Sequence, residues 1–294
     1  MSREIAEMVE YIVDELGRLV EVPVFRPVIY TSVYGSELYY DCLRIFLLSL
    51  EKYGNYRGSI KIASDRTLDQ VLEYVPNSAK ERVLHTSINH GNWMQRYNVE
   101  ALGLHDFSPI LHIDSDIVVN RDINQRLHAI CSRRQVCVTT EVETYPELAQ
   151  QKIAQLPDQR RIGNWWGLEI LRSDPSCSEA FLPLVNGGIM GFSDHSVFSL
   201  TSLLVAELYK APAHAAVAEW FGDQPFLNYV LVKTKLGEYD IFRNACSFSG
   251  SSTPLPQERL GFAHFLWARD ADKPKIMKEY FNYLTEEPSA VIKE

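Results

Sequence analysis

The chain has no run of about eighteen apolar residues, and that absence excludes a membrane-spanning helix. It also has no excess of positive charge. Its 29 Lys and Arg face 38 Asp and Glu, a net charge of −9, which argues against a broad nucleic-acid surface. A local basic site for phosphate stays open. Cysteine is scarce: five residues, Cys42, Cys131, Cys137, Cys177 and Cys246, odd in number and without a CxxC pair. Such spacing fits neither a disulfide framework nor a zinc ribbon, and reads as reduced thiols of a cytoplasmic protein. The charged opening Met1-Ser-Arg-Glu does not read as a secretory leader. No internal repeat or low-complexity tract is present.

What is there is a core-forming composition, 46% hydrophobic over 294 residues. That suits one large α/β domain or a nucleotide lobe packed on an acceptor lobe. Ile5, Met8, Val9, Ile12, Val13, Leu16, Leu19 and Val20 recur at helical spacing, so residues 1–24 are predicted as an amphipathic helix capped by Ser2. Its acidic face (Glu4, Glu7, Asp14) suits packing or a homodimer contact, not anionic lipid. Residues 25–294 are predicted as one domain, with a nucleotide-binding half to about residue 120 and a sugar and acceptor half beyond it.

Strands are predicted at 27–33, 59–63 and 108–114, with helices from Gly35-Ser36 to Lys52 and over 91–103. This alternation indicates parallel βαβ units, whose ligands gather at the carboxyl ends of strands. Further strands are predicted at 135–139, 181–192 and 262–267, and helices at 196–209 and after Asp223-Gln224-Pro225. Residues 245–258 read as loop, and 141–180 resist assignment.

The chemistry concentrates in Ile110-Leu-His-Ile-Asp114-Ser115-Asp116-Ile-Val-Val119. Two carboxylates interrupting a buried strand need a strong compensation, and a divalent cation supplies one. Residues two apart on a strand share a face, so both acids can reach one ion. Nucleotide-sugar transferases carry such an Asp-x-Asp, and haloacid-dehalogenase-type phosphatases carry Asp-x-Asp-x-Val. A strand-end acid pair that merely caps a turn is the plain alternative. The glycines in Asn186-Gly187-Gly188-Ile-Met-Gly191 imply a bulge or a ligand close to the backbone. Asp223 sits where simple helix capping is the default. His264 lies in an apolar segment where a core role is common, yet the acid pair lacks a third ligand. His112 competes for that place. Arg269, Lys273 and Lys275 form a basic group suited to phosphate.

In this order, the segments resemble the family 8 glycosyltransferases, the glycogenin-like and lipopolysaccharide-galactosyltransferase-like enzymes. Tyr30-Thr-Ser-Val-Tyr-Gly35, Arg96, Asp114-Ser-Asp116, Asn186-Gly-Gly-Ile-Met-Gly-Phe192, Asp223-Gln-Pro-Phe-Leu-Asn228 and His264-Phe265 each look like a short motif of that family. The likeness runs from about residue 27 to about residue 275. It implies a GT-A (Rossmann-like) α/β fold with a mixed, mainly parallel central sheet and helices on both faces. It implies nucleotide contacts from Tyr30, Thr31, Ser32, Asp65 and Ser115. Asp114, Asp116 and His264 would hold Mn²⁺, with Mg²⁺ the alternative. Arg96, Asn186, Gly187, Gly188 and Lys273 would contact donor sugar or phosphate, and Asp223 and Gln224 would serve catalysis. The partners implied are a UDP-sugar donor and a carbohydrate or other hydroxyl acceptor, with no nucleic acid. Trp267, the longer spacing to Lys273-Pro274, and Lys275 depart from the family's His-x-x-Gly-x-x-Lys-Pro-Trp, which makes Arg269 a second candidate for the phosphate. A sugar-nucleotide binder without turnover, and an interaction protein using the N-terminal segment, remain rival readings.

Overall fold

The computed structural model describes residues 9–13, 19–23, 25–88, 92–156 and 162–286. Twelve strands are present among them: β1 (Val9–Val13), β2 (Leu19–Pro23), β3 (Val28–Val33), β4 (Ser59–Ser64), β5 (Val83–Ser87), β6 (Ile110–Ile113), β7 (Ile117–Val119), β8 (Val136–Thr140), β9 (Val185–Phe192), β10 (Gly237–Glu238), β11 (Cys246–Phe248) and β12 (Phe262–His264).

The central sheet has the order β10-β8-β9-β6-β3-β4-β5. Every neighbouring pair is parallel except the two made by β9, which runs against both β8 and β6. From β3 the chain first builds outward to β4 and β5, then returns to β6 on the other side. The carboxyl ends of β3 and β6 therefore part at a switch point, where open α/β sheets take their ligands. Because β9 is reversed, its amino-terminal end, Val185-Asn186-Gly187-Gly188, reaches the same edge.

Alternation along β3 explains the two-sided core. Ile29 and Val33 pack with Leu43, Phe46, Leu47 and Leu50 of helix Glu37–Lys52. Val28 and Tyr30 pack on the other face with Phe198 and Val205 of helix His195–Lys210 and with Phe226, Leu227 and Val230 of helix Gln224–Thr234. A small third sheet, β11-β12-β7, places His264 opposite Ile117.

Several expectations are corrected. The helix expected over residues 1–24 is instead, at Val9–Val13 and Leu19–Pro23, an antiparallel pair with Val9 opposite Pro23 and Ile12 opposite Val20. The β-branched residues Val9, Ile12, Val13, Val20 and Val22 favour extended backbone over the helix that their spacing also permits. Ser2, Ile5, Met8 and Leu16 lie outside the described residues. The expected helix 91–103 is a 3₁₀ turn, Trp93–Tyr97, and one α-turn, Val99–Leu102. Asn98 breaks it, because its side chain accepts the Ala101 amide and starts a new turn. Strand β9 begins only at Val185. Pro183 lacks an amide proton, and Leu184 has φ +53. The loop expected over 245–258 contains β11, and the strand expected to Trp267 stops at His264. Helix Lys273–Glu286, not foreseen, buries Met277, Tyr280 and Leu284.

Candidate active site

At the end of β6 the Asp114 amide donates to the Gly188 carbonyl at 2.8 Å, which ties the acid pair to β9. Ser115 separates the two aspartates and is nearly buried. Phe265 donates its amide to the Asp116 carbonyl at 3.1 Å, so β12 and the acid pair share one hydrogen-bonded frame. Among the described residues, Asp114, Asp116 and His264 form the group whose ligand atoms lie within 4.8 Å of one another. His264 Nε2 stands 3.2 Å from Asp116 Oδ1. Two carboxylates and one imidazole are a donor set suited to a divalent cation such as Mn²⁺. The ring is set by packing. A Cβ on Gly188 would lie 2.5 Å from His264 Cε1, so only glycine lets the imidazole approach. The glycine-rich segment is also a bulge, because the β8–β9 register shifts between Val138 and Thr139.

Positive charge surrounds the acids. Arg96 Nη1 lies 3.2 Å from Asp114 Oδ1 and donates to the Gly187 carbonyl at 2.9 Å. Its Nε is 3.7 Å from Asp223 Oδ2. Lys273 Nζ stands 2.7 Å from Asp116 Oδ2. Burial alone would raise both aspartates. The Arg96 guanidinium and the His112 hydrogen bond instead hold Asp114 below the usual carboxylate range. His264 and Lys273 hold Asp116 far below it. Both acids are ionised at neutral pH. Burial lowers His112, which is wholly enclosed and faces Asp114 Oδ1 at 3.0 Å through Nε2.

The predicted site residues divide into those the structure gathers and those it buries elsewhere. Asp114, Asp116, His264, Arg96, Gly187, Gly188, Asp223, Gln224 and Lys273 come together. Asp223 makes no capping bond to its helix. Its Oδ2 is buried and has no hydrogen-bond partner. Gln224 Oε1 accepts the Gly187 amide at 3.4 Å. Asp65 is exposed at the end of β4, where it receives the Gly35 amide at 2.9 Å and the Tyr40 hydroxyl.

Tyr30 and Thr31, expected as nucleotide contacts, have fully buried side chains in β3. The Tyr30 ring tilts against His112, and its hydroxyl donates to the Arg96 carbonyl at 3.0 Å. It supports the site from beneath. The Ser32 hydroxyl is likewise enclosed. Asn186 lies in the same frame, and each end of its amide makes one internal hydrogen bond. Oδ1 accepts the Gly188 amide at 2.9 Å, and Nδ2 donates to Glu141 Oε1 at 3.0 Å. Arg269 pairs at the surface with Asp272, so Lys273 is the cation that reaches the site.

Two positions beside the site were given no role in the sequence reading, Glu141 unnoticed and Asn228 only as the end of a motif. Glu141 is 4% exposed, and burial raises it above the ordinary glutamate value despite the Asn186 amide and His264. The strand end before it was legible, but its partner was not. Asn228 accepts the Val185 amide at 2.9 Å and donates to the carbonyls of Val185 at 3.0 Å and Gln224 at 2.9 Å. It clamps the helix behind Asp223 to the start of β9.

No protein-family model matches the chain, and no curated protein does. Solved structures do. An active-site mutant of LgtC is 12% identical, with a TM-score of 0.54 over 89% of this chain and 98% of that one. The galactosyltransferase LgtC in complex with donor and acceptor sugar analogs is 11% identical, with a TM-score of 0.52 and the same coverage. The bifunctional glycosyltransferase WbbM is 13% identical, with a TM-score of 0.55 over 92% of this chain and 54% of that one. Across about nine-tenths of its length, therefore, the chain has the GT-A fold of these glycosyltransferases.

Proposed function

We propose that the protein is a metal-dependent glycosyltransferase that moves a sugar from a nucleoside-diphosphate sugar, of the UDP type, to an acceptor hydroxyl with retention of configuration. The observation that carries this reading is the convergence of Asp114, Asp116 and His264 at the switch point of the sheet, beside Arg96 and Asp223. Donor and acceptor sugar analogs bound to LgtC support it. The five free cysteines favour a cytoplasmic setting. No described helix is long and apolar enough to cross a membrane.

A divalent cation held by Asp114, Asp116 and His264 would supply Lewis-acid stabilisation of the leaving diphosphate. Lys273 adds a positive charge next to Asp116 for the same phosphates. Arg96 is fixed by the Gly187 carbonyl, so its guanidinium orients donor-sugar oxygens without reorganising. Asp223 Oδ2, paired with Arg96 Nε at 3.7 Å but without a hydrogen bond, accepts one from a sugar hydroxyl. Gln224 is an amide and a poor nucleophile, which disfavours a covalent glycosyl intermediate of the glycosidase kind. The bond from the anomeric carbon to the phosphate oxygen breaks, and the acceptor oxygen bonds on the same face. The acceptor proton passes to the departing phosphate. Positioning dominates such a step.

The test is a thermal-shift and calorimetric screen of Mn²⁺ and UDP, followed by UDP-sugar turnover. The wild type binds UDP in a Mn²⁺-dependent way, and Asp114→Ala loses both binding and transfer. Full activity of Asp114→Ala, or of wild type in excess chelator, overturns the mechanism. Release of phosphate from simple esters with Mg²⁺, without UDP binding, replaces the reading with a phosphatase.

A further inference from the structure

Four of the five tryptophans are strongly exposed: Trp93 at 44%, Trp165 at 48%, Trp220 at 73% and Trp267 at 44%. Large indoles left in water are costly, and contiguous ones mark an interaction surface. Two of them pack on consecutive residues, Phe221 and Gly222, just before Asp223. Trp165, on the 3₁₀ turn Gly163–Trp166, packs edge-to-face on Phe221 with ring centroids 5.3 Å apart. Trp93, on the 3₁₀ turn Trp93–Tyr97, lies against the next residue, Gly222. A Cβ there would be 2.3 Å from Trp93 Cε3, and the glycine has φ +66. Asp223 follows immediately, and Arg96 lies on the same turn as Trp93.

We propose that Trp93, Phe221 and Trp165 form a stacking platform for an oligosaccharide, so that the acceptor is a glycan of more than one sugar running outward from Asp223. This rests on the transferase reading only in calling the glycan an acceptor. Pyranose rings present a C–H face and a hydroxyl edge. Indole faces take the first, and the charged groups at Asp223 and Arg96 take the second. Each ring is already packed on one neighbour, so little ordering entropy opposes binding. The surroundings disfavour a lipid surface. Glu169 and Glu219 are exposed beside Trp165 and Trp220 in the chain, and the net charge of −9 is repelled by anionic membranes.

The experiment titrates the full chain with maltotetraose, cellotetraose, laminaritetraose and lactose, read by tryptophan fluorescence and calorimetry, with glucose and galactose as single-sugar references. At least one oligosaccharide binds saturably and more tightly than its monosaccharide. Trp93→Ala and Trp165→Ala each weaken it by about three- to tenfold. Trp220→Ala leaves it unchanged, and all three variants keep the Mn²⁺-dependent UDP shift. Trp93→Tyr and Trp165→Phe stand in if an alanine variant fails to fold, and retain most of the affinity. The platform is overturned if no oligosaccharide binds, if both alanine variants bind like wild type, or if the tryptophans instead govern binding to phosphatidylcholine vesicles. Oligosaccharide binding that persists while Mn²⁺ and UDP fail to bind would sink the transferase reading and leave the platform standing.

Discussion

Lys273 Nζ lies 2.7 Å from Asp116 Oδ2, while His264 Nε2 approaches the other oxygen of the same carboxylate at 3.2 Å. One aspartate thus carries a fixed cation and a metal-type ligand side by side. Lys273→Met removes the charge that compensates a largely buried Asp116. Stability without metal should fall by about 3 kcal/mol, as for other broken buried pairs. Mn²⁺ should restore more of it than it adds to wild type. Urea unfolding with and without Mn²⁺ measures both, and an unchanged metal-free midpoint would refute the pairing.

Gly188 and Gly187 separate close approach from mere flexibility. Alanine at 188 would drive a methyl to 2.5 Å from His264 Cε1, whereas at 187 the nearest atoms are Arg96 Nη1 at 3.6 Å and Asp223 Oδ2 at 3.7 Å. Gly188→Ala should weaken Mn²⁺ binding by about 10- to 100-fold, as displaced ligand support does elsewhere. Gly187→Ala should change it little. Calorimetric titration of Mn²⁺ into the two variants decides, and equal affinities would contradict the geometry.

Glu141 gives a pH signature. Its folded value is raised by burial, so between the ordinary value of 4.5 and the raised one the native state holds a proton that the unfolded state has released. Stability therefore falls as pH rises through that window. Glu141→Gln keeps an oxygen for Asn186 Nδ2 and removes the buried charge. It should raise the melting temperature at pH 7 to 8 and give no gain near pH 4. A gain of the same size at both ends would show that burial of the charge is not the cause.

Asn228 is wholly buried and makes three backbone hydrogen bonds. Asn228→Leu strands those groups and should cost about 2 to 3 kcal/mol, at the net value of roughly 1 kcal/mol per bond. Donor binding should weaken with it, because the helix carrying Asp223 and Gln224 loses its anchor on β9. Denaturant unfolding checks the first effect, and a donor-analogue titration of the folded fraction checks the second.

Legibility in the sequence followed locality. Asp114 and Asp116 stood out because charges inside an apolar run are costly, and no long-range knowledge was needed to see that. His264 was singled out because the acid pair lacked a third ligand and a basic group, Arg269, Lys273 and Lys275, follows it in the chain. Asn186 was seen, but its internal hydrogen bonds were not. Its amide looks free among glycines, and nothing local announces that Glu141 takes one end of it. The burial of Tyr30 has the same origin as the legibility of β3: the alternation that identifies a central strand also sends this side chain into the core. The segment Val9–Val13 carries both helical spacing and β-branched residues, and pairing with Leu19–Pro23 resolves the conflict. Helix Lys273–Glu286 was missed, although Ile276, Met277, Tyr280 and Leu284 carry its spacing and Pro274 suits its first turn.

The reversed strand β9 turns successive carbonyls in opposite directions: that of Gly188 accepts from the Asp114 amide and that of Gly187 from the Arg96 guanidinium. Acid pair and arginine are therefore moored to adjacent peptide units of one strand. Thermal breathing of that edge displaces them in concert, so their mutual spacing survives motions that would blur a pocket assembled from independent loops. An engineer who wishes to enlarge the pocket should work through the segment at 141–145, since a change that shifts the backbone of β9 retunes both charges at once.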